Sequence, residues 1–185
     1  MGGCGPLRRL VGLLRAVNVG GRKVLMGDLR RVAAEAGFES PATLLASGNL
    51  LFGTSLPPTQ AARRLEAAVL GKIGVATDVM VRDHAELTAV VEANPFTHQA
   101  KAEPNRLMAM FLSGEPQAEL DALAGACAGG EEVLAGPGCL YIWFPNGAGA
   151  SKLSNAVIER RLKVRGTARN WNTVGKLKAR LAAGA

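Results

Sequence analysis

Thr43-Leu44-Leu45-Ala46-Ser47-Gly48-Asn49-Leu50-Leu51-Phe52 holds two short apolar runs about a polar centre. Gly and Asn tolerate the positive φ that a tight reversal needs. The stretch therefore predicts two paired strands, Thr43 to Ala46 and Leu50 to Phe52, flanking Ser47-Gly48-Asn49. What lies on either side decides the fold. Upstream, Leu10 to Val17 is an apolar run that ends in a Gly-Gly loop, which predicts a buried strand. Leu29, Val32, Ala33 and Ala36 then recur at helical spacing, and Gly37 supplies a stop. Downstream, Pro57-Pro58 opens a helix with Ala62, Leu65, Val69 and Ile73 on one side, and Val75 to Val81 is a further strand. The order is β-α-β-β-α-β, that of the alpha-beta plait.

The same order returns in the second half. A helix from Asp83 to Ala93 stops at Asn94-Pro95. The polar stretch Thr97 to Asn105 is the best linker candidate. Strand Arg106 to Leu112, helix Pro116 to Cys127, strands Glu132 to Ala135 and Cys139 to Phe144, helix Leu153 to Leu162 and strand Gly166 to Arg169 follow. A last helix runs from Asn172 to Leu181. The expected fold class is α+β: two tandem ferredoxin-like subdomains, 1–96 and 97–185, with a C-terminal helix closing the second.

A chain of 185 residues with 48% hydrophobic and only 4% aromatic content builds its core from Leu, Val and Ala. Its charge is unevenly placed. Ser151 to Ala185 holds nine Lys/Arg and one acid, Glu159, a balance of +8; the first 150 residues hold thirteen and fourteen, a balance of −1, which together give +7. Such asymmetry points to an anionic partner. No apolar run reaches the roughly 20 residues that span a bilayer, and Arg15 interrupts the N-terminal apolar segment, so neither a membrane span nor a signal peptide is expected. The three cysteines, Cys4, Cys127 and Cys139, form no CxxC pair, which suggests reduced thiols and a cytoplasmic setting.

Four groups carry candidate chemistry. Arg15 leads into Asn18-Val19-Gly20-Gly21-Arg22-Lys23, where glycines between a strand and a helix let backbone N–H groups approach an anion; the plain alternative is a flexible connection. Ser47 and Asn49 offer a hydroxyl and an amide at the hairpin tip, or serve only its backbone angles. In Ser151-Lys152-Leu153-Ser154-Asn155, Ser151 is placed as a helix cap, with Lys152 in the first turn. The helix dipole disfavours a cation there, unless it helps to hold an anion. In Arg169-Asn170-Trp171-Asn172, either Asn caps the final helix, Arg169 offers a planar fork for phosphate or carboxylate, and Trp171 anchors the turn or stacks on a ligand. Tyr141 and Trp143 share one face of their strand, for packing between sheets or for stacking on bases.

RAVNVGG (Arg15 to Gly21), LASGN (Leu45 to Asn49), NPF (Asn94 to Phe96) and SKLSN…RNWNTV (Ser151 to Val174) occur in that order. Together they resemble the family called domain of unknown function 1697, over about Leu10 to Leu181. The resemblance implies a bacterial protein of two ferredoxin-like halves and implies no activity. This chain has Ala16 and Val17 where members tend to have Gly and Ile, and Ala46 where they have Gln.

The four strings contain no Asp or Glu, and His84 and His98 lie outside them. No metal-ligating spacing or cofactor pattern is present, so no cofactor is expected. Arg, Lys, Asn, Ser and backbone N–H groups suit holding an anion better than moving protons. The leading expectation is a module that binds a phosphate-bearing ligand, a nucleotide or nucleic acid, at the helix starts near Ser151 and Asn172. An enzyme acting on a small anionic metabolite by positioning and electrostatics is one alternative, with Lys152 and Arg169 holding the anion and Asn18 and Ser47 orienting it. A scaffold whose basic tail docks on an acidic surface is the other. The oligomeric state stays open.

Overall fold

A computed structural model of the protein describes residues 6–15 and 24–183. These residues divide into two compact units, one comprising the chain up to Ala85 together with the stretch from Leu177 onward, the other Glu86–Lys176. The fold class is α+β, with two four-stranded antiparallel sheets and a C-terminal helix.

In the first unit, β1 (Arg8–Leu14), α1 (Met26–Glu35), β2 (Glu39–Thr43), β3 (Asn49–Thr54), α2 (Pro58–Ile73) and β4 (Val79–Arg82) follow the expected order. The sheet order is β2-β3-β1-β4. Leu10 and Leu14 pack with Leu50, Phe52, Val79 and Val81 against Leu29, Val32, Leu65 and Val69 of the two helices. Helix α2 comes so close to β1 that a Cβ on Gly12 would stand 3.2 Å from Leu65 Cδ2 and 3.1 Å from Val79 Cγ1. Glycine serves close packing there rather than conformational freedom.

Strand β2 starts earlier and stops earlier than the apolar pattern suggests. Its polar opening, Glu39-Ser40-Pro41, pairs as an edge strand with a register shift between Glu39 and Ala42. Proline is tolerated on an edge or at a bulge, where no ladder donor is needed. The strand expected from Val75 begins only at Val79, after Gly74 has closed α2 in the left-handed conformation (φ 75°).

Helix α3 (His84–Glu92) leads to a departure from expectation. Thr97–Ala102 is a helix, α4, and Pro104–Arg106 a 3-10 turn, so the polar stretch read as a linker carries regular structure. It has no apolar stripe to reveal it, and none of the residues of α4 is buried.

In the second unit, β5 (Leu107–Leu112), a 3-10 helix (Leu120–Ala126), β6 (Glu132–Gly136), β7 (Cys139–Trp143), α5 (Asn155–Leu162), β8 (Gly166–Asn170) and the start of α6 (Trp171–Ala183) follow, and the strands form a sheet of order β6-β7-β5-β8. Met110, Leu112, Leu140 and Ile142 pack with Leu123 of the 3-10 helix and with Ile158 and Leu162 of α5. Alternation turns Tyr141 and Trp143 to the other face, where both are buried. Tyr141 donates its hydroxyl to the Val90 carbonyl at 2.7 Å and meets Trp171 edge-on at 6.3 Å. Burial pushes its phenol pKa up. Neither aromatic is presented to solvent for base stacking, and Trp171 serves as an anchor against Tyr141.

Candidate functional site

Chain direction at α5 is set by Leu153, which is 3% exposed, and by Ile158, both in the same core. They stand at the positions before the cap and four into the helix, the arrangement of a hydrophobic staple. The cap between them is Ser154, whose Oγ accepts from Val157 N at 3.4 Å. Ser151 is therefore not the cap. Its Oγ accepts from Leu153 N at 3.0 Å and donates to Glu131 Oε1. That bond, ahead of backbone donors, holds the Glu131 carboxyl below the usual carboxylate range. Lys152 lies before the cap rather than in the first turn, exposed and with no side-chain partner among the described residues. The conflict with the helix dipole expected from the sequence disappears. Asn155 is the first helical residue and is exposed.

At α6 the cap is Asn170, whose Oδ1 accepts from Asn172 N at 3.1 Å. Both asparagines also reach Asn105: Asn170 Nδ2 donates to its carbonyl at 3.1 Å, and Asn172 Nδ2 to its Oδ1 at 2.8 Å. Asn105 sits in the stretch read as a linker, which is why sequence reading missed it. Arg169 is turned inward. It pairs with Ala109, which pairs with Tyr141, so its side chain shares their buried face and is 6% exposed. Its Nη1 donates to Thr167 Oγ1 at 2.6 Å, two residues back on the same face, and to the Ala168 carbonyl at 2.9 Å. Burial lowers its pKa to about 10, so it remains a cation at neutral pH, turned inward. It offers no surface fork.

The first-unit candidates are tied down within their loops. Arg15 is 3.8 Å from Asp78 Oδ2 and partly exposed, an ion pair worth at most about 1 kcal/mol. Asn49 is fully buried; its Nδ2 donates to the Leu44 carbonyl and to Ser47 Oγ, each at 2.8 Å, so Ser47 helps to close the turn. Asn18, Gly20 and Gly21 lie outside the described residues.

The second-unit candidates do share a place. Met108 pairs with both Ile142 and Asn170, and Leu107 pairs with Trp143, which pairs with Glu132. The starts of α5 and α6 therefore belong to the same end of the sheet. Acids gather there as well: Glu131 at Ser151, and Glu103 3.0 Å from Arg106 Nη1.

Most of the basic charge lies elsewhere. Arg160 and Arg161 fill the last turn of α5, where cations complement the helix dipole. Lys163 and Arg165 follow in the turn to β8, and both are exposed. Buried Val164 and the Arg165 carbonyl, which accepts from Ser113 N at 2.9 Å, hold that turn in place. Lys163 caps α5 in the left-handed conformation, φ 52° and ψ 40°, a position where glycine is usual. Arg161 Nη1 donates to the Ala122 carbonyl at 2.6 Å. Glu159, the one acid of the basic tail, accepts from Gly166 N at 2.9 Å. Among the described residues Arg160 and Lys163 have no ion-pair partner, although Glu115 and Glu119 stand in the loop that Ser113 and Gln117 bond to this turn.

No helix among the described residues is long and apolar enough to cross a membrane. No curated protein matches the chain. Among solved structures, the conserved bacterial protein SP0830 from Streptococcus pneumoniae is similar in fold, with a TM-score of 0.73 at 19% identity over 96% of this chain and 99% of that one. Residues 7–141, most of the chain, match the family described as "Protein of unknown function (DUF1697)", and the protein belongs to that family.

Proposed function

We propose that the second unit binds the phosphates of a nucleic-acid backbone at the turn from α5 to β8, through Arg160, Lys163 and Arg165. The observation that carries this reading is Lys163: a cation held in a strained, left-handed cap beside Arg160, both exposed and without an acidic partner among the described residues. A lysine there costs about 1 kcal/mol relative to a residue free of Cβ strain, and such strain gathers at functional positions. The acids of the neighbouring loop restrict the contact to a few phosphates. Strand order and connection in both units support reading each as a ferredoxin-like plait, and the free thiols of Cys127 and Cys139 support a cytoplasmic setting.

Binding of labelled single- and double-stranded oligonucleotides across a salt series tests the proposal. Three phosphate contacts on a duplex give a log–log slope of about −3. Absence of binding at low salt overturns it. A second reading keeps the ligand at the helix starts, with Lys152 and Asn155 as its contacts; the shared sheet end supports it. Lys152→Ala then weakens binding, whereas the first reading leaves affinity unchanged.

A further inference from the structure

The first unit contains a cleft of about 820 Å³ on its own sheet. Arg9, Gly53 and Glu39 occupy one cross-strand row, Arg9 opposite Gly53 and Gly53 opposite Glu39. Their neighbours Leu10 and Phe52 face α1 and α2, so this row faces the other way. Gly53 has no side chain to occupy the cleft; a Cβ there would stand 3.2 Å from Glu39 Cβ and 3.3 Å from Leu7 Cδ1. Ser40 borders it in the left-handed conformation (φ 44°), beside the register shift of β2. Bulges and strained residues of this kind re-aim chains next to binding sites.

Arg9 is the unusual member. Its Nη1 donates to the Ser40 carbonyl at 3.3 Å, while its Nε is buried with no hydrogen-bond partner among the described residues. Among the described residues no carboxylate forms an ion pair with it. A half-buried guanidinium with an unmet donor and no ion-paired carboxylate is costly, and each such group calls for a physical reason. Glu39 and Asp83 line the cleft together with Arg8 and His84, and Leu7 and Leu181 add apolar surface.

We propose that this cleft binds a small molecule with an oxyanion head, carboxylate or phosphate, and an apolar body. The head supplies the charge that the Arg9 guanidinium lacks, with Arg8 and His84 beside it, and the body lies against Leu7 and Leu181. The volume is that of a small-molecule site. A planar guanidinium suits both head groups. The cleft belongs to the first unit, and its ligand is independent of the basic turn.

Amide shifts of the full-length, nitrogen-15-labelled chain test this during titration with hexanoate and, separately, hexyl phosphate. Saturable shifts at Arg9, Ser40 and Gly53 are expected, and the probe that saturates first identifies the head group. Arg9→Gln is expected to weaken binding about tenfold or more, the effect of one charge-assisted contact. Lys163→Ala leaves it unchanged. Should Arg9→Gln fail to fold, Arg8→Gln, on an exposed side chain, decides instead: weaker binding supports the site and unchanged binding overturns it. No saturable shift with either probe, or shifts that Arg9→Gln in a folded protein leaves intact, also overturns it.

Discussion

Helices α2 and α5 hold the same place in their units, each leading into an edge strand, β4 or β8. Both end in a left-handed residue. In α2 it is Gly74 at φ 75°; in α5 it is Lys163 at φ 52°. Glycine adopts that conformation freely, and lysine does so at a cost. The surrounding charge differs too. Lys72, in the last turn of α2, is 3.5 Å from Glu35 on α1. Arg160 and Lys163, on and after the last turn of α5, have no such partner among the described residues. One turn is relaxed and neutralised; the other is strained and cationic. The backbone problem is the same, so the difference teaches that the second turn was not shaped for stability alone.

The strongest test of that difference is at Gly166, which follows the cationic turn. A Cβ there would stand 2.7 Å from Met110 Cε and 3.0 Å from the Phe111 carbonyl. Gly166→Ala therefore forces β8 away from β5, at about 1–3 kcal/mol of stability, measured by denaturant unfolding. No loss would mean that the start of β8 is looser than the packing implies. Exchanging the caps comes next. Lys163→Gly is expected to gain about 1 kcal/mol and raise Tm by about 2–4 °C, while making the salt slope of oligonucleotide binding shallower by about one unit. Gly74→Lys is expected to lose about the same stability and confer no binding. If Lys163→Gly leaves both stability and salt slope unchanged, the two turns are equivalent and the comparison fails.

The alternating and helical patterns made the element order readable, because Leu10, Leu29, Phe52, Leu65, Leu140 and Ile158 are all core residues and each lies at the period of its element. Elements without an apolar stripe were not readable: the Glu39-Ser40-Pro41 edge of β2, and helix α4. The candidate site was less legible still. Ser151 and Ser154 are both plausible caps, and only the burial of Leu153 with Ile158 selects the second. Arg169 reads as a planar fork for an anion, and only strand register shows that it turns inward beside Ala109. Asp78 and Glu131 lie outside the acid-free strings and reach Arg15 and Ser151 only in the fold. The expected site lay at the helix starts near Ser151 and Asn172, and an eight-residue helix separates Lys152 there from Lys163 by more than about 12 Å.

That separation makes one measurement decisive: amide shift mapping of the labelled protein with a short oligonucleotide at low salt. The account predicts that the largest shifts fall on Arg160 to Gly166, with little change at Leu153 to Ala156 and at Trp171 to Thr173. Shifts concentrated at those two helix starts, with the Lys163 amide unmoved, would contradict it.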